Sequence, residues 1–179
     1  QADVADQPAV EQMVARAVEQ FGRLDIAVGN AAYSDRAPFY EIDMEGMRRS
    51  IDVTMWGAFY LLRAATQQMI SQGEGGAIVL VSSPHAFMPI PTSMAYNMSK
   101  AAMEHMSRTA AIEVVQYGIR VNTIQPGWID TPGERRDFTE EQIQREGQKL
   151  PWGRMGTSAD IGRAAAFLAS DDADYITGT

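Results

Sequence analysis

The sequence predicts an α/β layered fold with a parallel sheet, because three apolar runs alternate with longer helical segments. The runs, at 24–28, 77–81 and 119–124, are almost continuously hydrophobic. Such runs are typical of strands covered on both faces. The segments between them are long enough for the right-handed helical crossovers that parallel strands need. With 179 residues, of which 45% are hydrophobic, the chain is large enough for one core, and we expect a single domain over 1–179.

Helix signals fall in the segments around these runs. The first helix is predicted to begin after Asp6, with a proline in its first turn, and to end at Gly22. A longer helix is expected over 43–69, before a glycine-rich turn, and a third over 93–118. The last helix is predicted to begin at Thr157, where an aspartate three residues later indicates a capping box.

The segment 132–153 interrupts the pattern. It opens with the turn formers Pro132 and Gly133 and continues with a short amphipathic stretch. That stretch begins with a second capping-box pattern, Thr139 to Gln142. We predict that this segment is a mobile flap that borders a substrate.

The composition excludes several classes of function. The formal charge of −8, without a cluster of Lys or Arg, makes nucleic acid and membrane surfaces unexpected partners. The absence of cysteine removes disulfides and thiolate chemistry, and with two histidines available we expect no metal site. No apolar run approaches the roughly 20 residues of a membrane span, and the first residues lack a signal pattern. We therefore expect a cytoplasmic protein, present here as a fragment that begins at Gln1 and stops at Thr179.

Tyr96 and Lys100 lie four residues apart in the predicted third helix. Residues at this spacing share a helix face, so a phenol and an ammonium can meet at one site. A nearby positive charge lowers the pKa of a phenol and makes it a usable acid or base near neutral pH. The same spacing also occurs on exposed helices without function. Ser83 favours the functional interpretation, because it follows the second apolar run, at the carboxyl end of a strand, where α/β sheets bind ligands.

The order and spacing of Ser83, Tyr96 and Lys100 resemble the catalytic signature of the classical short-chain dehydrogenase/reductase family. Other segments follow in that family's order along the whole chain. They resemble its adenine-contacting Asp-Val pair, the strand before its Asn-containing turn, and the strand and turn under its nicotinamide. In this sequence they are 3–4, 24–32, 119–122 and 126–131.

The resemblance implies a Rossmann-like doubly wound parallel sheet in three αβα layers and an NAD(P)-dependent oxidoreductase that moves a hydride between nicotinamide and a secondary alcohol or ketone. Tyr96 would exchange a proton with the substrate oxygen, Ser83 would hydrogen-bond that oxygen, and Lys100 would lower the tyrosine pKa and bind the nicotinamide ribose. Further contacts with NAD or NADP are implied at Asp3, Val4, Asn30, Ala31, Val53, Pro126, Gly127, Ile129 and Thr131.

One position departs from the family. Thr54 stands where the family has a catalytic asparagine, three residues before a glycine in the long middle helix. In the family, the carbonyl of that residue holds a water that links the lysine to solvent, and its side chain steadies an irregular helix turn. Threonine keeps the carbonyl and can hydrogen-bond backward to the helix. We therefore predict a catalytic role for Thr54 in a retained but altered proton relay.

Several alternatives stay open. Within the resemblance, the substrate is that of a sugar or polyol dehydrogenase, such as a glucose 1-dehydrogenase, or of an oxoacyl reductase. The rival is a dinucleotide-binding regulatory protein with little turnover. The family also implies a homodimer or homotetramer formed through the middle helices. The choice between NAD and NADP cannot be made, because the family's glycine-rich motif and the residue that selects the cofactor would precede Gln1.

Other polar and large residues near these motifs have structural interpretations. Ser82 is expected to face the opposite side of its strand from Ser83. Asn122 is expected to be a buried hydrogen-bonding residue. His85 either contacts substrate or supports its loop, and His105 lies on the surface or at a subunit contact. Four large side chains either line a substrate pocket or pack in the core: Met88, Met94, Trp128 and Trp152.

Overall fold

The computed structural model describes residues 1–179, with every side chain except those of Arg136 and Asp137. Three parallel strands form its central sheet, in the order β1 (Ile26–Gly29), β2 (Gly76–Val81) and β3 (Ile119–Ile124). Each pair is in continuous register along its length. The parallel order requires a crossover between successive strands, and helices supply both. The predicted α/β fold is confirmed.

Seven α-helices accompany the sheet in the described part of the chain. None of them is long and apolar enough to cross a membrane. The first ends as predicted at Gly22, which adopts the left-handed conformation with φ of 83°. The helices are α1 (Gln7–Phe21), α2 (Met44–Ile51), α3 (Gly57–Gln72), α4 (Met94–Val114), α5 (Glu134–Asp137), α6 (Glu140–Lys149) and α7 (Ser158–Ala169).

The sheet is covered on both faces. Ile78 and Leu80 of β2 pack with apolar residues of α3 and α4, including Leu62 and Met103, in one buried cluster. Ala77 and Val79 alternate with them and are also buried. Because successive side chains of a strand point to opposite faces, these two belong to the other side, where α7 packs on β2 and β3. The arrangement is the three-layer αβα sandwich that the resemblance implied.

The predicted helix over 43–69 is interrupted. Asp43 caps α2, its carboxylate accepting from Gly46 N at 2.9 Å. The chain then passes through one π-helical turn, Asp52–Trp56, before α3 begins. Such turns insert one extra residue into an α-helix and occur frequently at functional sites. Hydrophobic periodicity does not reveal one, because the apolar face resumes in the next turn.

Two glycines bring the amino ends of β2 and β3 together. Gly75, with φ of 72°, lies so close to Gly118 that a Cβ on it would be 2.6 Å from the Gly118 carbonyl oxygen. At its other edge, β3 is paired by the last residues: Gly178 N donates to Val121 O at 2.8 Å, and Thr123 N donates to Thr179 O at 2.9 Å. Both edges of β3 are therefore hydrogen-bonded.

The segment proposed as a flap contains α5 and α6. A short parallel pair of strands, β4 (Ile129–Asp130) and β5 (Gly156–Thr157), holds its two ends together. Both predicted capping boxes are present, at Thr139 before α6 and at Thr157 before α7. The segment is thus a folded excursion tied at its base.

Candidate active site

A cleft of about 1100 Å³ opens at the carboxyl ends of the three sheet strands. Loops after β1, β2 and β3, the start of α4, the flap and α7 supply its walls. Of the residues predicted from the sequence to act in catalysis or cofactor binding, eight line this cleft: Asn30, Ser83, Tyr96, Lys100, Pro126, Gly127, Ile129 and Thr131.

Five predicted site residues do not line the cleft. Asp3 accepts the backbone N–H of Ala5 at 3.0 Å through its own carboxylate. Val4 packs against Gly57, and a Cβ added to that glycine would lie 2.9 Å from the Val4 side chain. Ala31, Val53 and Thr54 also lie outside the cleft lining. If Asp3, Val4, Ala31 and Val53 contact a cofactor, they do so beyond this cavity.

Ser83 and Tyr96 meet because a short turn follows β2. Ser83 is 8% exposed, and its hydroxyl accepts the backbone N–H of His85 at 3.3 Å, which starts a single 3₁₀ turn. Tyr96 lies in the first turn of α4, a short loop later. Burial raises the pKa of the Tyr96 phenol above its usual value, and hydrogen bonding to Ser83 works against that rise. Ser83 therefore already stabilises the anionic form of the phenol.

Lys100 lies beside the Tyr96 ring and is hydrogen-bonded to the end of β2. Its ammonium donates to Val81 O at 2.6 Å and lies 5.3 Å from the centroid of the Tyr96 ring. The net effect of its surroundings is to keep the phenol pKa raised, not lowered. Lys100 is thus held at the strand end, close to the Tyr96 ring, and its predicted effect on the tyrosine pKa remains a prediction.

Lys100 is only 1% exposed. Burial lowers the pKa of its ammonium to about 8, against an opposing effect of the Glu104 carboxylate one turn further along α4. A lysine with a pKa near neutrality exchanges its proton readily, which suits a group next to an acid–base tyrosine.

Thr54 is completely buried in the π turn and is hydrogen-bonded to the loop after β1. Its hydroxyl accepts from Tyr33 N and donates to Tyr33 O, both at 2.9 Å. The sequence led us to expect a bond backward to the helix instead, so that expectation is wrong. Threonine offers one donor and one acceptor, and the loop uses both. The predicted proton relay through the Thr54 carbonyl remains a prediction.

Replacing Thr54 with valine is expected to destabilise the protein by about 2 kcal/mol, because Tyr33 would lose the partners of its N–H and C=O together. Urea unfolding measures the change. Thr54→Asn, which also has a donor and an acceptor, should lose less stability than Thr54→Val. Thr109→Val, at an exposed helix position, should lose little stability. A Thr54→Val protein as stable as the parent would show that the two hydrogen bonds to Tyr33 do not stabilise the fold.

His85 is fixed beside the reacting tyrosine. Its ring lies edge-on to Tyr96, with centroids 5.1 Å apart, and its Nδ1 is 2.8 Å from Asn97 Oδ1. The Asn97 amide nitrogen donates to Ile90 O at 3.0 Å, so Oδ1 must be the group that faces the histidine. His85 therefore donates through Nδ1, which leaves Nε2 as its second polar atom. His85 lines the cleft, so it is placed where it could contact a substrate.

The flap side of the cleft combines apolar and acidic groups. Trp128 packs edge-on against Phe138, with centroids 5.4 Å apart, and its indole N–H donates to Glu134 Oε2 at 2.9 Å. Met88 also lines the cleft, whereas Met94 and Trp152 do not. Glu134, like Tyr33 and Arg36 on the opposite wall, was not among the site residues predicted from the sequence. No motif marks such positions, since only the fold determines which loops and short helices border the cleft.

Two sequence interpretations of buried polar residues have different outcomes. Asn122 is 1% exposed and holds the chain end, its amide donating to Ile176 O at 2.8 Å and accepting from Thr179. It is the structural residue that the sequence predicted. Ser82 was expected to face away from the site, yet it borders the cleft. Its hydroxyl is buried and has no hydrogen-bond partner among the described residues.

The cleft fits the nicotinamide end of a dinucleotide. The unpartnered Ser82 hydroxyl is available to a ligand, and Lys100 has used one of its three donors on Val81. A Cβ placed on Gly127 would meet no atom within 4 Å, so a flat ring can approach the backbone there. Asn30 and Thr131 add polar groups on the two sides. No cluster of metal-ligating side chains is present among the described residues.

Comparison with known proteins agrees with this geometry. The family profile described as enoyl-(acyl carrier protein) reductase matches residues 1–179. An L-rhamnose 1-dehydrogenase (NAD(P)(+)) from Sphingomonas sp. is 36% identical over 98% of this chain and 70% of its own length. Glucose 1-dehydrogenase 2 from Bacillus subtilis is 34% identical over 99% of this chain and 69% of its own.

The solved structures give the same result at the level of the fold. The crystal structure of levodione reductase superposes with a TM-score of 0.92 at 30% identity, covering 99% of this chain and 72% of that one. The family profile covers the whole chain, and both sequence relatives exceed 30% identity over more than two thirds of their own length. The chain belongs to the short-chain dehydrogenase/reductase family of NAD(P)-dependent oxidoreductases.

Proposed function

We propose that this chain carries the catalytic site of a sugar or polyol dehydrogenase, which oxidises a secondary or anomeric hydroxyl group with NAD or NADP. The convergence of Ser83 and Tyr96 on one cleft, with Lys100 buried beside them, supports the reaction type. The names of the relatives, L-rhamnose 1-dehydrogenase and glucose 1-dehydrogenase 2, favour the sugar class over an oxoacyl reductase.

The residues divide the chemistry between proton transfer and positioning. The nicotinamide, when bound, takes up or supplies the hydride. Tyr96 accepts the proton of the substrate hydroxyl in oxidation and returns it to the carbonyl oxygen in reduction. The Ser83 hydroxyl holds the same oxygen as charge develops on it. Lys100, with its lowered pKa, provides the nearby group that can replace the proton of the tyrosine.

We assign substrate contact to the flap, 132–153, together with the residues at its base. Trp128 and Phe138 form an apolar surface in the same cleft as His85 and Tyr96. A sugar has apolar C–H faces and polar hydroxyl edges, and an aromatic surface beside the polar Nε2 of His85 suits both. The flap is tied at β4 and β5, so motion within it would open the cleft without disturbing the sheet.

A screen of the full-length protein tests the reaction. NADH and NADPH formation is followed at neutral pH with aldoses, polyols and secondary alcohols, and their oxidation with ketones and oxoacyl thioesters. Turnover with aldoses or polyols is the expected result. Turnover confined to oxoacyl thioesters would replace the sugar assignment with the reductase one.

The rival hypothesis, a dinucleotide-binding regulatory protein, depended on Thr54. The threonine is fully engaged with the loop after β1, so the substitution gives no reason to expect a disrupted site. Nothing else in the cleft favours the rival, because the serine, tyrosine and lysine are all present. Cofactor binding without turnover for any substrate class in the screen would restore it.

We propose that the protein is a homodimer or homotetramer associated through α3 and α4. Apolar side chains stand exposed on both helices: Trp56, stacked on Tyr60 at the start of α3, is 41% exposed, and Ile112 of α4 is 79% exposed. On α4, Ala101 is also exposed, whereas Met106 is partly buried. Exposed apolar patches of this kind mark protein–protein contacts.

Light scattering of the full-length protein is expected to give the mass of a dimer or tetramer, and Ile112→Asp should shift it toward the monomer, because a carboxylate there would be desolvated on association. Glu113→Ala, a neighbouring change at an exposed position, is the control and should leave the mass unchanged. A monomeric parent protein would exclude the interface.

A further inference from the structure

Arg36 stands at the rim of the catalytic cleft without a carboxylate partner. It lines the same cavity as Ser83 and Tyr96. Its side chain is exposed, and it takes part in none of the ion pairs among the described side chains. Arg16, Arg48, Arg49 and Arg120 also form no ion pair among the described side chains, but none of these four lines the cleft. Arg36 is free to pair with a ligand.

The backbone on both sides of Arg36 is fixed. Asp35 N donates to Ser50 Oγ at 3.1 Å, and Ala37 N donates to Thr92 O at 3.0 Å. Among the described residues, Thr92 is the one non-glycine residue with a positive φ, 64°, and its carbonyl bonds this loop to the loop before α4. Backbone strain of this kind persists where the surroundings hold it and is concentrated at functional sites. The guanidinium therefore extends from an anchored position.

The two carboxylates nearest along the chain and across the cleft are occupied elsewhere. Asp35 Oδ1 accepts the backbone N–H of Arg36 at 3.0 Å, and Asp35 Oδ2 lies against Gly46 of α2, where a Cβ would be only 1.7 Å away. Glu134 accepts from the indole of Trp128 at 2.9 Å. Neither neutralises Arg36 by direct contact, so its charge acts on the cavity.

Arg36 is also close enough to the reacting group for its charge to matter. The guanidinium lowers the pKa of the Tyr96 phenol, in opposition to Glu134, which raises it. Lys100, the lysine of the cleft lining, is already bonded to Val81 O and buried. An anionic group on a ligand whose hydroxyl meets Tyr96 would find Arg36 as its available partner.

We propose that Arg36 binds an anionic group of the substrate, a carboxylate or a phosphate, so that the preferred substrates are acidic sugars or hydroxy acids. The inference rests on the proposed dehydrogenase function and narrows its substrate class. Arginine suits this role because its planar fork donates two parallel hydrogen bonds to either anion. The anionic oxygens could also belong to the cofactor, whose phosphates have the same chemistry, and the experiment separates the two sources.

The test is a calorimetric comparison of ligand pairs that differ in charge, on full-length Tyr96→Phe protein saturated with NAD⁺ or NADP⁺. This background prevents turnover, so the result does not depend on whether the protein is a dehydrogenase. The pairs are D-glucuronate with D-glucose, 3-hydroxybutyrate with butan-2-ol, and glycerol 3-phosphate with glycerol. At least one anion should bind about tenfold to a hundredfold more tightly than its neutral counterpart, as expected for a hydrogen bond to a charged group.

Arg36→Gln should remove that preference, and Arg36→Lys should retain part of it, since a lysine keeps the charge without the fork. Arg48→Gln, which removes the same charge from an exposed position on α2, should leave it unchanged. The preference should also weaken as the ionic strength rises above about 0.1 M. Equal binding of the anions and their neutral counterparts, or an equal preference in Arg36→Gln, would overturn the proposal.

The cofactor arm uses the same variants with NAD⁺ and NADP⁺ as the titrated ligands. Arg36→Gln should bind both cofactors as the Arg36 protein does. A loss of affinity for NADP⁺ or NAD⁺ in Arg36→Gln, with no effect on the substrate anions, would assign the arginine to the cofactor phosphates and overturn the substrate role. Failure of the activity screen with intact anion preference would instead count against the dehydrogenase function alone.

Discussion

Tyr96→Phe is expected to lower turnover of the full-length protein by about 10²- to 10⁴-fold, the range that a positioned acid–base group contributes. The phenol is the titratable hydroxyl of the cleft that Ser83 contacts, and phenylalanine keeps the ring while removing that group. The ring would still pack against His85, so the loop before α4 should keep its place. The loss should therefore appear in kcat more than in binding.

The measurement is steady-state turnover with the best substrate of the screen, with cofactor affinity followed by calorimetry. Tyr117→Phe, at a half-exposed site beyond α4, is the matched control and should behave as the parent does. Turnover by Tyr96→Phe within tenfold of the parent would show that another group moves the proton.

The pH dependence of the parent follows from the same tyrosine. Burial raises the pKa of the phenol, so the protonated form dominates near neutral pH in the cofactor-free protein. Oxidation requires the phenolate as base and should become faster as the pH rises. Reduction requires the phenol as acid and should become slower. A profile in which both directions change in the same sense would point to a different titrating group.

The fold was largely predictable because its signals are local. Continuous apolar runs located β2 and β3 within one residue, and capping boxes located the starts of α6 and α7. The π turn at Asp52–Trp56 was not predictable, because it is held by the hydrogen bonds of Thr54 to Tyr33, a residue 21 positions away. Contacts of that kind depend on how the loop after β1 packs and leave no trace in periodicity.

The candidate site was predictable in part for the same reason. Ser83, Tyr96 and Lys100 stand in a motif, and the structure brings all three to one cleft. The bond of the Lys100 ammonium to Val81 O was not predictable, because helical spacing says only that the two side chains share a face. Arg36 and Glu134 were missed, since they come from separate segments, the loop after β1 and the start of α5, which only the fold brings to one cleft.

Lys100→Met is expected to stabilise the cofactor-free protein at pH 7 while lowering turnover. The pKa of the buried ammonium is about 8, compared with 10.5 for the free side chain. Below pH 8 the lysine is charged in the folded and unfolded states alike, so folding carries the full cost of burying that charge, about 3 kcal/mol from the pKa difference. Loss of the bond to Val81 O offsets about 1 kcal/mol of the gain.

The size of the stability effect changes with pH in a way that identifies the lysine. Between pH 8 and about 10.5 the unfolded state binds more protons than the folded state, so the parent gains stability as the pH rises. Lys100→Met lacks this gain, so its stability advantage over the parent should shrink over that pH interval. Urea unfolding of both proteins at pH 7 and pH 9.5 measures the difference, with Lys149→Met, at the exposed second lysine of the chain, as control. An advantage that stays constant with pH would mean that methionine acts through packing, and the lowered pKa of Lys100 would lose its support.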